Sequence, residues 1–173
     1  MCGFVGFIDK NNIETKKIAL ENMMNRIIHR GPDSAGTYVD EKAALGFRRL
    51  SIIDLEHGSQ PIYNENKDLV IVFNGEIYNF QEIKEDLVSK GHTFLTHTDT
   101  EVIIHGFEEY GKDIVTKLRG MFAFVIWNTK TNVMFGARDM FGIKPFYYSN
   151  TEDAFLFGSE IKSFIEHPCF HKE

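Results

Sequence analysis

The distribution of apolar residues predicts an α+β fold with mostly antiparallel sheets. Three observations carry this. Short runs rich in β-branched and aromatic residues come in pairs joined by polar turns, as at 36–39 with 44–49 and 121–128 with 133–138. Helical periodicity is confined to separate blocks, near 15–28, 79–88 and 98–111. Strands and helices do not alternate regularly, so a parallel βαβ winding is not expected. The reading gives about eight strands and four or five helices, with no repeat, low-complexity segment or linker. A chain of 173 residues fits one domain with a real core. Two sheets packed face to face with helices outside would bury most of the apolar runs.

Composition narrows the function classes. The formal net charge of −6 argues against a nucleic-acid surface, because phosphate binding needs a basic patch. Sixteen phenylalanines argue against disorder. The two cysteines, Cys2 and Cys169, sit at opposite ends and form no Cys-x-x-Cys pair, so no disulfide framework is expected and a reducing cytoplasm is the simpler setting. No apolar run approaches the roughly 18 residues that span a bilayer, so no membrane partner is expected. The N-terminus lacks a basic n-region, so no signal peptide is expected and Cys2 is not read as a lipidation site.

The elements follow in order. Residues 3–8 read as a buried first strand, and 9–12 as a polar turn. From Thr15, a candidate N-cap, Leu20, Met23, Met24, Ile27 and Ile28 fall on one helical face. Pro32 ends that pattern within His29-Arg30-Gly31-Pro32-Asp33-Ser34. This stretch is either a rigid turn or a loop that aims Arg30 or His29 at a site. In 44–49, strand alternation turns one of Arg48 and Arg49 inward. An inward arginine needs an anion, and its planar fork suits a carboxylate.

Residues 57–66 read as loop, and 68–73 as an apolar strand running into Asn74-Gly75, which by itself reads as a turn. Asn79 with Glu82 resembles a capping box, and Thr98 with Glu101 matches one fully. Asp99 falls in the first turn of the helix that follows, where the dipole favours acid. Residues 113–118 form a short helix. The 121–128 and 133–138 strands turn at 128–132. Arg138-Asp139 reads as an ion pair within a loop fixed by Gly142 and Pro145. A strand pair at 146–148 and 154–157 precedes a terminal helix at 159–166, which Pro168 stops. His92, His97, Asp99, Glu101 and His105 are dense enough to raise a metal site, but their spacing matches no zinc pattern, and no metal is assigned.

The chemistry concentrates at Cys2. If the initiator Met1 is removed, Cys2 carries a thiol and a free α-amine on one Cα. An α-amine titrates at about 8, close enough to neutrality to take a proton from the thiol and return one to a leaving amine. One residue then supplies nucleophile and base. Most second-position cysteines are incidental, so the remaining sequence must decide.

Six separated stretches do so in order: Met1-Cys2-Gly3, His29-Arg30-Gly31-Pro32-Asp33, Arg49-Leu50-Ser51-Ile52-Ile53-Asp54, Asn74-Gly75-Glu76-Ile77-Tyr78-Asn79, Arg138-Asp139 with Gly142 and Pro145, and Ser159-Glu160-Ile161-Lys162. Together they resemble the class II glutamine amidotransferase (N-terminal nucleophile) domain over residues 1–173. The last two make the chain most similar to the glutaminase half of glutamine-dependent asparagine synthetases. The resemblance implies a four-layer αββα sandwich, with two mostly antiparallel sheets between helices. It also implies hydrolysis of L-glutamine to glutamate and ammonia.

By the same resemblance, Cys2 is the nucleophile and its α-amine the general base and acid. The Asn74 side chain and the Gly75 backbone N–H form the oxyanion hole. Arg49 holds the substrate α-carboxylate, Glu76 and Asp99 hold its α-ammonium, and the backbone near Ile53 lines the pocket. Arg30 and the Arg138-Asp139 loop support the site without reacting. The charges agree with these roles, since the α-carbon of glutamine is zwitterionic and needs both a cation and an anion.

No Ser-Gly-Gly-x-Asp-Ser type loop for ATP is present. The domain is therefore expected to use no cofactor of its own, while ATP and magnesium are implied for a C-terminal synthetase domain outside this chain. A homodimer of the full-length protein belongs to the same set of expectations. Two alternatives stay open: the same glutaminase chemistry serving another acceptor domain, and a non-catalytic docking domain.

Overall fold

In the computed structural model, residues 2–50 and 59–171 are described, and they divide into two units. One holds 2–50, 59–61 and 145–171; the other holds 62–144. Each unit is an antiparallel sheet with its own helices, which bears out the α+β class with two antiparallel sheets.

The first unit is a five-stranded sheet in the order β2-β3-β1-β9-β8. Its strands are β1 (Gly3–Asp9), β2 (Ser34–Val39), β3 (Ala43–Arg49), β8 (Tyr147–Asn150) and β9 (Ala154–Gly158). β1 is central because it is apolar on both faces. Val5 and Phe7 face α1 (Ile13–Arg26) and its Leu20, Met23, Met24 and Ile27, while Phe4 on the other face meets Phe146 and Phe157. The helix begins three residues earlier than its candidate cap predicts. Asn12, not Thr15, is the N-cap, and its side chain accepts from the Thr15 N–H at 2.9 Å. The expected terminal helix is a 3-10 segment, Ile161–Glu166.

The second unit is a four-stranded sheet in the order β4-β5-β6-β7. Its strands are β4 (Ile62–Tyr63), β5 (Leu69–Ile77), β6 (Gly120–Asn128) and β7 (Val133–Arg138). β4 lies inside the stretch expected to be loop; it is only two residues long, too short to show a period. Ile71, Phe73, Phe122, Phe124 and Ile126 face α2 (Phe80–Ser89) and α3 (Asp99–Tyr110), followed by the short α4 (Ile114–Lys117). Val70, Val72, Ala123, Val125 and Trp127 on the opposite face are buried as well.

Two local expectations fail here for one reason. Asn74-Gly75 is not a turn: β5 runs through it to Ile77, with Asn74 opposite Ala123 and Gly75 opposite Phe122. The pairing partner overrides the turn preference of the dipeptide. Neither predicted capping box forms. The Asn79 side chain donates to the Lys117 carbonyl at 3.0 Å and accepts from the Arg119 N–H at 2.9 Å, which ties the start of α2 to the start of β6. Glu101 turns away from Thr98 to accept the N–H groups of Leu95 and Thr96 at 2.6 and 2.7 Å. In both places longer-range backbone donors win over the local cap.

Candidate active site

The nucleophile half is built at one end of the first sheet. Gly3 pairs with Arg48, so continuing the ladder sets Cys2 opposite Arg49. The Cys2 thiol is free and half-buried, and its Sγ accepts from the Leu50 N–H at 3.4 Å. Alternation separates the arginines as expected. Arg48 lies on the helix face, donating to the Met24 carbonyl and to Asn25 at 3.2 and 2.6 Å. Arg49 turns the other way and is 8% exposed.

A buttress fixes the backbone of Cys2. Arg30 Nε donates to the Cys2 carbonyl at 3.0 Å, and its Nη1 reaches Glu160 at 3.2 Å. Glu160 also meets His29 at 2.8 Å and Lys162 at 3.1 Å. Burial pushes the Glu160 carboxyl up, but the hydrogen bonds from His29, Lys162 and Arg30 hold it below its ordinary value. One residue earlier, Ser159 clamps the strand: its Oγ accepts from the Phe4 N–H at 3.0 Å and its N–H donates to the Phe4 carbonyl at 2.8 Å. The His29–Ser34 turn thus carries Arg30 to the Cys2 backbone. Gly31 is required by close approach, since a Cβ there would lie 2.3 Å from the Arg48 carbonyl carbon. The roles of Ser159 and Glu160 do not follow from the sequence alone. Their motif is visible, but their partners lie 155 and 130 residues away.

The second unit gathers Asn74, Gly75, Glu76 and Asp99. Asn74 and Glu76 share one face of β5 by alternation. Asn74 is 2% exposed, and its Nδ2 has no hydrogen-bond partner among the described residues. A buried donor left unmade costs about 1–3 kcal/mol, and native structures seldom keep one without use. Among the described strands, β4 pairs with β5 at Val70 and Ile71. Further along that edge, the Ile77 N–H leaves the ladder and donates to Asp99 Oδ2 at 2.8 Å. Alternate residues of an antiparallel strand send their N–H groups the same way, so the Gly75 N–H points to that edge too. A Cβ at Gly75 would stand 2.3 Å from the Met121 carbonyl oxygen, so close strand approach demands the glycine. Asp99 sits at the start of α3, yet burial raises its carboxyl above the ordinary 3.8, against the Ile77 bond that lowers it and with the Glu76 charge that adds to it. Two acidic groups therefore share the neighbourhood of an unused amide donor.

Ile53 lies outside the described residues. Arg138 and Asp139 do not form the expected ion pair. Arg138 Nε donates to the Lys144 carbonyl at 2.6 Å. Asp139 accepts the N–H groups of Ile143, Lys144 and Phe122 at 2.8, 3.0 and 3.2 Å. Burial raises its carboxyl, and those N–H groups bring it below the ordinary value. Among the described residues, no helix is long and apolar enough to cross a membrane.

Comparison with known proteins places this geometry. Asparagine synthetase [glutamine-hydrolyzing] 1 of Bacillus subtilis is 49% identical over 168 residues, covering 95% of this chain and 27% of that protein. A probable asparagine synthetase [glutamine-hydrolyzing] of Dictyostelium discoideum is 41% identical over 98% of this chain and 31% of its own length. The chain thus spans less than a third of these relatives. Among solved structures, glutamine phosphoribosylpyrophosphate amidotransferase from B. subtilis superposes with a TM-score of 0.76 at 24% identity, covering 95% of this chain and 43% of that one. A second structure, an allosteric regulatory enzyme of purine biosynthesis, gives 0.78 at 22% identity over 99% and 44%. These likenesses show the fold. The family profile of the glutamine amidotransferase domain matches residues 1–173, and the chain belongs to that family.

Proposed function

We propose that this domain hydrolyses the side-chain amide of L-glutamine and passes the ammonia to a C-terminal synthetase domain that makes asparagine. The observation that carries the reading is the buried Asn74 Nδ2, without a partner among the described residues, beside an edge-directed Gly75 N–H. Attack of a thiolate on an amide builds negative charge on the carbonyl oxygen, and two preset donors lower that barrier. Cys2 supplies the nucleophile, and its α-amine, once Met1 is removed, carries the proton from thiol to leaving ammonia. Arg49 takes the α-carboxylate of glutamine, Glu76 and Asp99 its α-ammonium, and the backbone near Ile53 the remaining wall. An incoming ammonium suits Asp99, whose raised carboxyl marks a buried charge in need of a counter-ion.

The 49% identity to a glutamine-hydrolysing asparagine synthetase supports asparagine synthesis over another acceptor. ATP and magnesium belong to the synthetase domain in this reading, and the glutaminase step uses neither. A homodimer of the full-length protein and a cytoplasmic setting complete the proposal. Ammonia release from glutamine, with intact mass recorded on the same sample, tests it. Protein lacking Met1 releases ammonia, and Cys2→Ala abolishes it. Full turnover by Met1-retaining protein would overturn the α-amine mechanism, and retained turnover in Cys2→Ala would overturn the nucleophile.

A further inference from the structure

Four ligand-bearing side chains converge in the second unit, away from the residues just assigned. They are Glu65, between β4 and β5; His92, between α2 and α3; and His105 and Glu108, one turn apart on α3. One ligand atom from each lies within 4.8 Å of the other three. His105 Nδ1 is 3.1 Å from Glu65 Oε2 and 3.1 Å from Glu108 Oε2. His92 Nδ1 is 3.5 Å from Glu65 Oε1 and 3.8 Å from Glu108 Oε2. Tetrahedral zinc with bonds of about 2.0–2.1 Å sets its ligands roughly 3.3 Å apart. With one atom per residue the set spans up to 4.8 Å, so side-chain shifts of about 1 Å would bring it to the separations the ion requires.

The surroundings are arranged as a ligand shell needs. Each ring turns Nδ1 to the centre and Nε2 to a further carboxylate: His105 Nε2 is 3.6 Å from Glu101, and His92 Nε2 is 3.7 Å from Glu109. A carboxylate behind each imidazole is the arrangement that fixes the tautomer of metal-bound histidine. His105 is 1% exposed, and among the described residues its Nε2 makes no hydrogen bond short enough to satisfy it. Each central carboxylate is steadied by an N–H donor. Glu65 accepts from the Thr93 N–H at 3.1 Å and Glu108 from the Asn64 amide at 2.8 Å. The donor set of two imidazoles and two carboxylates suits zinc better than calcium or magnesium, which favour all-oxygen shells.

We propose that Glu65, His92, His105 and Glu108 bind one zinc ion at a closed, structural site that pins the 64–66 and 91–94 segments to α3. The sequence hides it because the ligands come from two connections and a helix, with no repeated spacing.

The test is a calorimetric zinc titration of the chelator-treated Cys2→Ala chain, where the other strong chelate, the Cys2 thiol with its α-amine, is gone. One zinc per chain is expected, with a rise in Tm. Cobalt in its place should give tetrahedral visible bands with no thiolate charge-transfer band. His92→Gln, at a half-buried position, and Glu65→Gln, at an exposed one, should each weaken binding by 100-fold or more, and Glu101→Gln by about 10–100-fold. His105→Gln is the less safe variant because His105 is buried, so the outcome is decided by the other two. Absence of saturable binding in the Cys2→Ala chain overturns the proposal. So does affinity kept within a few-fold in both His92→Gln and Glu65→Gln, which would leave the cluster as an ion-pair network only.

Discussion

The two units bury charge in opposite ways. In the first, cations and anions are matched. Lys16 is 0% exposed and sits 2.5 Å from Asp9, whose other oxygen takes His167 Nε2 at 3.2 Å, while His167 Nδ1 accepts the Cys169 N–H at 3.2 Å. Arg30 is matched to Glu160 in the same manner. In the second, carboxylates outnumber cations. Glu76 and Asp99 have no ion-pair partner among the described residues, and His105 stands among Glu65, Glu101 and Glu108. The two buried histidines record the difference. Burial lowers His167, and the single Asp9 carboxylate does not reverse it. Burial opposes charge on His105 as well, but the neighbouring Glu101, Glu108 and Glu65 carboxylates raise it to about 9. Glu101, against its own burial, is brought down to about 2 by His105, Thr96 and Leu95. The Lys16–Asp9 pair is complete as it stands, whereas Glu76 and Asp99 in the second unit, like Arg49 in the first, are the charges the proposed function gives to a ligand.

The largest effect should come from unmatching the first unit. Lys16→Met leaves the Asp9 carboxylate buried beside an imidazole that burial keeps toward neutrality, and unpairing a buried ion pair costs about 3–5 kcal/mol. Denaturant unfolding should show that loss, and a loss below about 1 kcal/mol would mean that Asp9 finds water.

Asn74→Ala should do the reverse. Removing an unused donor spares stability, so Tm should hold or rise, while kcat for glutaminase falls by about 10²–10³-fold. A fall in Tm with kcat unchanged would show Asn74 to be structural.

Asp99→Asn keeps an acceptor for the Ile77 N–H but removes the charge. KM for glutamine should rise by about 10–100-fold, the worth of one charge-assisted bond, with stability kept. In the parent protein, glutamine affinity should begin to fall on acidification above pH 3.8, because the raised carboxyl protonates earlier than an ordinary aspartate. A KM insensitive to both changes would move the ammonium site elsewhere.

The smallest effect is a pH slope. The unfolded chain protonates histidine near 6.5, and native His167 does so lower. The stability from its neutral form is therefore full above 6.5 and is lost as pH falls through the lowered value. The penalty of His167→Gln should shrink from neutral to acidic pH. A penalty that grows toward acid would mean that His167 is a cation matched to Asp9.

Much of the fold and of the site is legible in the sequence, for physical reasons. β1, β3 and β6 are legible as continuous apolar runs bounded by turn residues, because each is buried on both faces. Arg49 is separable from Arg48 because a two-residue period leaves no third choice. What fails is local grammar overruled by other partners, near or far in the chain. Asn74-Gly75 has the composition of a turn, but β6 pairs with it and the Met121 carbonyl leaves room only for glycine. Thr98 and Glu101 have capping-box spacing, but Glu101 serves Leu95, Thr96 and His105. The metal candidates visible in the sequence come from one stretch, whereas the cluster takes His92 and His105 from it, leaves His97 and Asp99 out, and adds Glu65 and Glu108.

The central place of β1 has a consequence for biosynthesis. Its two neighbours are β3, which ends at residue 49, and β9, which begins at residue 154. At about 5–20 residues per second, the ribosome takes roughly ten to thirty seconds to deliver the second neighbour. Until then the first strand cannot be closed in from both sides, nor Phe4 locked by Ser159. An aminopeptidase working on the emerging chain has that interval in which to uncover the Cys2 amine. A circular permutant joining β9 directly ahead of β1 would abolish the interval and, with it, the amine on which the proposed chemistry depends.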